Sequence, residues 1–192
     1  MSSAQPRAQG RDDVLPYELP GGYRVRIVTE GDADELAAVV DANRAYLAEW
    51  LPWAGQSGFE TIEDFLRRAH AQVDANNGFQ AAIVDQDGAI VGFIGFHGID
   101  WVNRATSLGY WLAEDRQGRG TMTAAVRALT SHAFRVWTLN RVEIRVAVEN
   151  GRSAAIPERL GFRKEGVLRQ AERHGASFKD LVVYSMIADE WT

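Results

Sequence analysis

The sequence contains no cysteine. This absence excludes disulfide bonds, thiolate zinc sites, iron–sulfur clusters and a cysteine nucleophile. It suits the reducing cytoplasm, where we expect the protein to be located. Long hydrophobic runs are also lacking: no segment reaches the roughly 18–20 apolar residues that span a membrane, and the N-terminus has no signal-peptide core. We therefore expect no membrane association.

Basic residues are in the minority. There are 21 lysines and arginines against 26 aspartates and glutamates, and the net charge is −5. This balance argues against direct nucleic-acid binding and favours cationic or amine-bearing partners. The histidines show no metal-ligand spacing, so we expect no metal site. They are His70, His97, His132 and His174.

The sequence does contain enough apolar material for a packed core, since 46% of its 192 residues are hydrophobic. That length favours one compact domain. Residues 1–13 are polar and are expected to form a disordered tail. Residues 14–192 are then expected to form the single domain.

Apolar periodicity divides that domain into strands and helices. The predicted strands are residues 23–28, 78–84, 89–96, 106–112, 142–148, 163–170 and 178–187. The predicted helices are residues 32–43, 65–75, 121–137 and 153–160. The first two helices follow threonine capping signals at Thr29 and Thr61. The order of elements indicates a mixed α/β layer rather than a regular βαβ series.

A glycine-rich turn, Gln-Gly-Arg-Gly at residues 117–120, joins a predicted strand to a predicted helix. Glycine lets a ligand approach the backbone closely, and the free N–H groups and dipole of a helix start favour an anion. The pattern predicts a phosphate or pyrophosphate cradle, with an ordinary strand-to-helix turn as the alternative. A Rossmann site fits poorly because Thr123 replaces its third glycine, and no Gly-Lys-Ser/Thr of a Walker loop follows.

A second cluster lies about thirty residues downstream, at Asn150 and Ser153. Either residue alone could simply cap a short helix. Pro157 suits only a first helical turn, which places the start of this helix near Ser153. Gly161 is typical of a residue that ends a helix.

Taken in order, the two clusters resemble the GNAT N-acetyltransferase superfamily, over nearly the whole chain. The matching residues are Tyr110-Trp111-Leu112 with the Gly-x-Gly turn, and Asn150-x-x-Ser153 with Leu160-Gly161-Phe162. The resemblance implies an α/β (α+β) three-layer fold, with a central mixed, mostly antiparallel twisted sheet of about seven strands and helices on both faces. It also implies a splay between the strands that end near Leu112 and Val148.

Two further segments are similar to the RimJ/RimL branch, which acetylates the N-terminal amines of ribosomal proteins. They are Asn43-Arg44…Leu47…Trp50-Leu-Pro-Trp53 and Leu168-Arg-Gln-Ala-Glu172. The resemblance implies that the acceptor is a protein N-terminus, such as that of a ribosomal protein, and that the enzyme forms a homodimer. A small-molecule amine acetyltransferase and a non-catalytic CoA-binding module remain the alternatives.

The resemblance implies acetyl-CoA as cosubstrate. It assigns binding to Trp111, Leu112, Gln117, Gly118, Arg119, Gly120, Thr121, Met122, Thr123, Asn150 and Ser153. The Leu112 N–H would act as an oxyanion-type donor to the thioester carbonyl. Ser153 would protonate the leaving thiolate, and Glu172 would accept the amine proton. Because cysteine is absent, the acetyl group is expected to pass directly from CoA to the amine.

The sequence departs from the family pattern at two positions. Asp115 stands where a Gln or Arg usually opens the cradle, and Pro157 stands where many members have a general-acid tyrosine. Glu172 also has an ordinary interpretation, as a solvated turn residue. Other candidates are Arg116 and Arg119 for the CoA 3′-phosphate, and Trp50, Trp53 and Trp111 for an acceptor pocket, although large aromatics more often belong to the core.

Overall fold

The computed structural model describes residues 15–55 and 61–192, so the expected tail at 1–13 lies outside the described residues. The strands are β1 Tyr17–Glu18, β2 Arg24–Ile27, β3 Gln80–Val84, β4 Ile90–Asp100, β5 Ala105–Leu112, β6 Arg141–Ala147, β7 Arg163–His174 and β8 Ser177–Ile187. The α-helices are α1 Ala33–Ala42, α2 Arg44–Trp50, α3 Ile62–Asp74, α4 Thr121–Arg135 and α5 Gly151–Arg159.

The strands form one sheet in the order β1-β2-β3-β4-β5-β6-β8-β7. Every neighbouring pair is antiparallel except β5 and β6, which run parallel. The expected mixed, mostly antiparallel sheet is confirmed, with eight strands in place of about seven. The additional strand, β1, has only two residues and is too short for a period-2 pattern to reveal.

Helices cover both faces of the sheet. On one face α4 buries Met122, Val126, Leu129 and Ala133, a stripe at the helical spacing that the sequence predicted, in the main core cluster. On the other face α1 and α3 pack Leu36, Val40 and Leu66 around Phe93 of β4 in a second cluster. The sheet is therefore the middle layer of three.

Helix α2 was not predicted from the sequence. One residue, Asn43, separates it from α1, and the φ of −111° at Asn43 breaks the regular helical geometry. Its seven residues are too few for a clear apolar period. The predicted helix 32–43 therefore continues after a break as a second, shorter helix.

The expected position of Pro157 in a first helical turn is wrong. Helix α5 begins at Gly151, and Asn150 caps it by accepting a hydrogen bond from the Ser153 N–H at 3.0 Å. Pro157 therefore lies in the helix interior, where its ring is buried. Proline has no N–H, so the carbonyl of Ser153, four residues earlier, lacks the partner that a regular helix would supply.

Candidate active site

A gap opens in the middle of the sheet, between β5 and β6. Their parallel pairing stops after Leu108 and Ile144. Beyond that point β5 continues to Leu112 bonded only to β4, and β6 continues to Ala147 bonded only to β8. This wedge is the splay expected between the strands that end near Leu112 and Val148.

The Leu112 N–H points into this gap. The next residue, Ala113, donates its N–H to the Val91 carbonyl of β4 at 2.8 Å. Because successive peptide groups of a strand point to opposite edges, the Leu112 N–H lies on the edge away from β4. A backbone donor fixed at the wall of a gap can stabilise a developing negative charge, as an oxyanion hole does.

The glycine turn lies just beyond the end of β5 and begins α4. Gly118 and Gly120 have φ of +76° and +79°, a left-handed conformation that favours glycine. A Cβ at either position would meet no atom within 4 Å, so both glycines face open space. Gly120 is the N-cap of α4 and no side chain caps the helix. Its first N–H groups, from Thr121 to Thr123, are therefore available to an anion. This arrangement fits a pyrophosphate.

Two arginines of α5 reach this turn. Arg159 donates to the Thr123 Oγ1 at 3.0 Å, and Arg152 approaches the Gln117 Oε1 at 3.4 Å. Neither arginine was singled out from the sequence. They come to the turn through the packing of α5 against α4, and a contact across more than thirty positions leaves no local signal.

The two arginines that the sequence proposed for a phosphate differ in their surroundings. Arg116 is paired with Asp85 and with Asp115, each at 3.2 Å, so its charge is already compensated. Arg119 forms no ion pair within residues 15–55 and 61–192. The unusual Asp115 thus serves as a partner of Arg116.

Ser153 and Tyr110 meet at the wall of the gap. The Ser153 Oγ lies 3.3 Å from the Tyr110 hydroxyl oxygen, which also lies 3.4 Å from the Ser153 carbonyl. Tyr110 belongs to the segment of β5 that β6 leaves unpaired, and burial of its hydroxyl raises its pKa to about 12. The Asn150 oxygen is used in the helix cap, which leaves its NH₂ group as the donor for a ligand.

Glu172 lies in strand β7 and not in a turn. Its Oε2 is 3.0 Å from the Nε2 of His174, and the side chains of Glu172 and His174 are 33% and 9% exposed. The register with β8 shifts between Leu168 and Glu172, and such an irregularity bends the strand and changes the direction of the side chains beyond it. In the described ranges no hydrogen bond joins Glu172 to Ser153 or Leu112.

Helix α2 bridges the two sides of the gap. On one side Tyr46 accepts from the Gln117 Nε2 at 2.7 Å. On the other side the ammonium of Lys179, on β8, donates to the Glu49 carbonyl and lies 4.6 Å from the centre of the Trp50 ring. Trp50 therefore stands beside the gap, on a helix fixed to both halves of its rim.

The other two candidate tryptophans belong to the core. Trp53 and Trp111 are partly buried and pack against the second core cluster. The Trp111 ring is stacked on Phe93 with ring centres 6.5 Å apart. Both rings thus contribute to core packing while they remain partly exposed.

His132 is a core residue. Its Nδ1 is 2.8 Å from the Tyr17 hydroxyl, its ring contacts Phe79, Phe96 and Trp137, and burial lowers its pKa to about 4. In the part of the chain that the structure describes, no three His, Asp or Glu side chains are grouped so that they could hold a metal ion. None of the helices there is long and apolar enough to span a bilayer.

Comparison with known proteins agrees with this geometry. The family model of the acetyltransferase (GNAT) domain matches residues 24–163. YdaF of Bacillus subtilis, whose name assigns it provisionally to the ribosomal N-acetyltransferases, is 38% identical over 172 residues, covering 87% of this chain and 92% of that protein. The ribosomal-protein-serine acetyltransferase of Escherichia coli is 29% identical over 164 residues, 84% of this chain and 90% of its own.

A solved structure is similar across almost its full length. It is RimL, an α-N-protein acetyltransferase of ribosomal L7/L12, in complex with coenzyme A. It superposes with a TM-score of 0.85 at 26% identity and covers 92% of this chain and 99% of its own. With the split sheet, the uncapped glycine turn and these matches together, the chain belongs to the GNAT family of acetyltransferases.

Proposed function

We propose that the protein is an acetyl-CoA-dependent N-acetyltransferase that acts on the N-terminal α-amine of a protein or peptide. The observation that carries this proposal is the gap between β5 and β6, which has the inward Leu112 N–H on its wall and the uncapped start of α4 at its end. A backbone donor for an acyl oxygen and a cradle for a pyrophosphate are the two requirements for presenting an acyl-CoA thioester.

Bound acetyl-CoA supplies an activated acetyl group as a thioester. The residues proposed to hold its phosphates and arm are Trp111, Leu112, Gln117, Gly118, Arg119, Gly120, Thr121, Met122, Thr123, Asn150 and Ser153. Within this set the amides of the glycine turn bind the phosphates, and Asn150 offers its NH₂ to the arm. The Leu112 N–H stabilises charge on the acyl oxygen, and Ser153 Oγ donates a proton towards sulfur.

Glu172 is proposed as the base that takes a proton from the incoming amine. An amine must be neutral to attack, and an α-amine with a pKa of about 8 loses its proton more readily than lysine at about 10.4. A carboxylate directly in contact with the amine, or bridged by one water, is an adequate base. His174, at 3.0 Å, holds the Glu172 carboxylate in place.

The choice of a protein N-terminus as acceptor is supported by the names of the relatives. Two of them act, or are assigned to act, on ribosomal proteins, and the solved RimL structure is described as an α-N-protein acetyltransferase. A ribosomal protein is therefore the proposed acceptor. We also propose that residues 14–192 act as one domain, that the protein is cytoplasmic and that it forms a homodimer. Sedimentation of the purified chain tests the dimer.

The experiment is acetyl transfer measured by mass spectrometry. The purified protein is incubated with acetyl-CoA and peptides that carry the N-terminal sequences of ribosomal proteins, and the same peptides with a blocked α-amine are the matched control. We expect a 42-Da gain on the free α-amine only. Modification of blocked peptides at lysine, or of polyamines and amino sugars alone, would reject the α-amine acceptor. Absence of acetyl transfer to every amine would reject the enzyme and leave a CoA-binding module.

A further inference from the structure

The interior proline of α5 determines what the Ser153 carbonyl can bind. In a regular helix this carbonyl would accept the N–H of residue 157. Pro157 has no N–H, and the Tyr110 hydroxyl from β5 approaches the carbonyl instead, at 3.4 Å. The same hydroxyl oxygen accepts from the Ser153 Oγ at 3.3 Å. Strand β5 thus holds a tyrosine hydroxyl against Ser153, which itself belongs to helix α5.

We propose that Tyr110 is a positioning residue for the Ser153 hydroxyl, a role that rests on the proposed function. Without a ligand, Ser153 Oγ–H donates to Tyr110 and Tyr110 O–H makes a long contact with the Ser153 carbonyl. Both protons rotate about single bonds. When the Ser153 proton turns towards a sulfur atom in the gap, the Tyr110 proton can turn from the carbonyl to the vacated Ser153 Oγ without any shift of heavy atoms.

This rotation produces a chain of two hydrogen bonds, from Tyr110 to Ser153 and from Ser153 to sulfur. Hydrogen bonds in series polarise one another, so the serine becomes a better donor to a sulfur that gains negative charge. Tyr110 itself stays protonated, since burial raises its pKa to about 12. No bond is made or broken at Tyr110, and its role is to hold and polarise Ser153.

A double-mutant cycle tests the role. Tyr110→Phe keeps the ring and removes only the hydroxyl, and one neutral hydrogen bond corresponds to about a threefold to tenfold effect. We expect kcat to fall by that factor while KM for acetyl-CoA is unchanged. In a Ser153→Ala background, Tyr110→Phe should have no further effect, because the hydroxyl that it positions is gone.

A second measurement needs no turnover. The thiol of free CoA ionises in the alkaline pH range, and a donor to sulfur makes the protein bind its thiolate better than its thiol. Wild-type affinity for CoA should therefore increase as pH rises through that range. The increase should be about threefold smaller in Tyr110→Phe and in Ser153→Ala. Affinity for acetyl-CoA, which has no free thiol, should show no such difference.

Tyr184→Phe is the matched control. Its hydroxyl donates to Glu158, on the same helix as Ser153, at 2.7 Å, and in the described part of the chain it forms no hydrogen bond with Ser153. It should leave kcat and the pH dependence of CoA affinity unchanged. Equal losses from Tyr110→Phe with and without the Ser153 hydroxyl, or a pH dependence identical to wild type, would overturn the role. If wild type acetylates no amine, the proposed function fails, and the CoA titration still decides whether Tyr110 and Ser153 act together.

Discussion

Acidification should destabilise the fold through His132. This imidazole is 3% exposed, is surrounded by Phe79, Phe96 and Trp137, and has a buried Nε2 that bonds to nothing in the described part of the chain. A positive charge there would lack both water and a counter-ion. Burial lowers the pKa of His132 from 6.5 to about 4.

The difference between the folded and unfolded pKa of His132 fixes how the free energy of unfolding changes with pH. The folded-state pKa lies below the unfolded value, so the unfolded chain binds the proton more tightly, and the stability present above about pH 6.5 is lost as pH falls towards 4. With a native pKa of about 4 and an unfolded pKa of 6.5, the free energy of unfolding loses about 2.5 kcal/mol between pH 7 and pH 4.5 from this group alone.

Urea unfolding at pH 7 and pH 4.5 measures this loss, with His132→Gln as the comparison. The variant is less stable at pH 7, because the ring packing is lost, but it has no imidazole to titrate. The carboxylates titrate in both proteins and cancel in the difference. The decrease in unfolding free energy should therefore be smaller in the variant, by about 2.5 kcal/mol. An equal decrease in both proteins would refute the role of His132.

Three further changes test the proposed site. Gly120→Val should weaken acetyl-CoA binding in calorimetry at least tenfold, because the new side chain enters the open space of the cradle; Gly88→Val, with a similar φ of +86° and open surroundings in a hairpin, should not. Glu172→Gln should lower kcat about a hundredfold without changing acetyl-CoA affinity. Glu165→Gln, on the same strand, is the control and should leave kcat unchanged. Equal rates for wild type and Glu172→Gln would remove Glu172 from the mechanism. Arg159→Ala should weaken acetyl-CoA binding about twofold to fivefold at low salt, and the difference should vanish at high salt; a salt-independent difference would exclude a charge effect.

The helices and strands with a periodic apolar pattern were predictable from the sequence. Each predicted strand and helix overlaps an observed one, because burial of one face imposes an apolar period of 2 on these strands and of 3.6 on these helices. Helix α2 has seven residues and strand β1 two, too few for either period to repeat clearly, so the sequence did not predict them.

The candidate site was predictable from the sequence where backbone conformation and backbone N–H groups form it. A Gly-x-Gly turn between strand and helix has a conformational signature that survives in the sequence, and the structure gives both glycines a positive φ. The contact of Tyr110 with Ser153 has none, since it depends on which strand α5 packs against. Pro157 was the available clue: an interior proline leaves one carbonyl in need of an outside donor. Its interpretation as a first-turn residue concealed that clue.

The gap between β5 and β6 also has a mechanical consequence. The strands β1–β5 form one continuous part of the sheet and β6, β8 and β7 form another, and four parallel residue pairs join the two. A ligand in the gap touches both parts, so it acts as a cross-link that exists only in the native state and stabilises it by mass action. Amide hydrogen exchange should therefore slow most at the C-terminal ends of β5 and β6 when acetyl-CoA is added. In the proposed complex, the cosubstrate occupies the space between β5 and β6 where the two strands form no hydrogen bonds with each other.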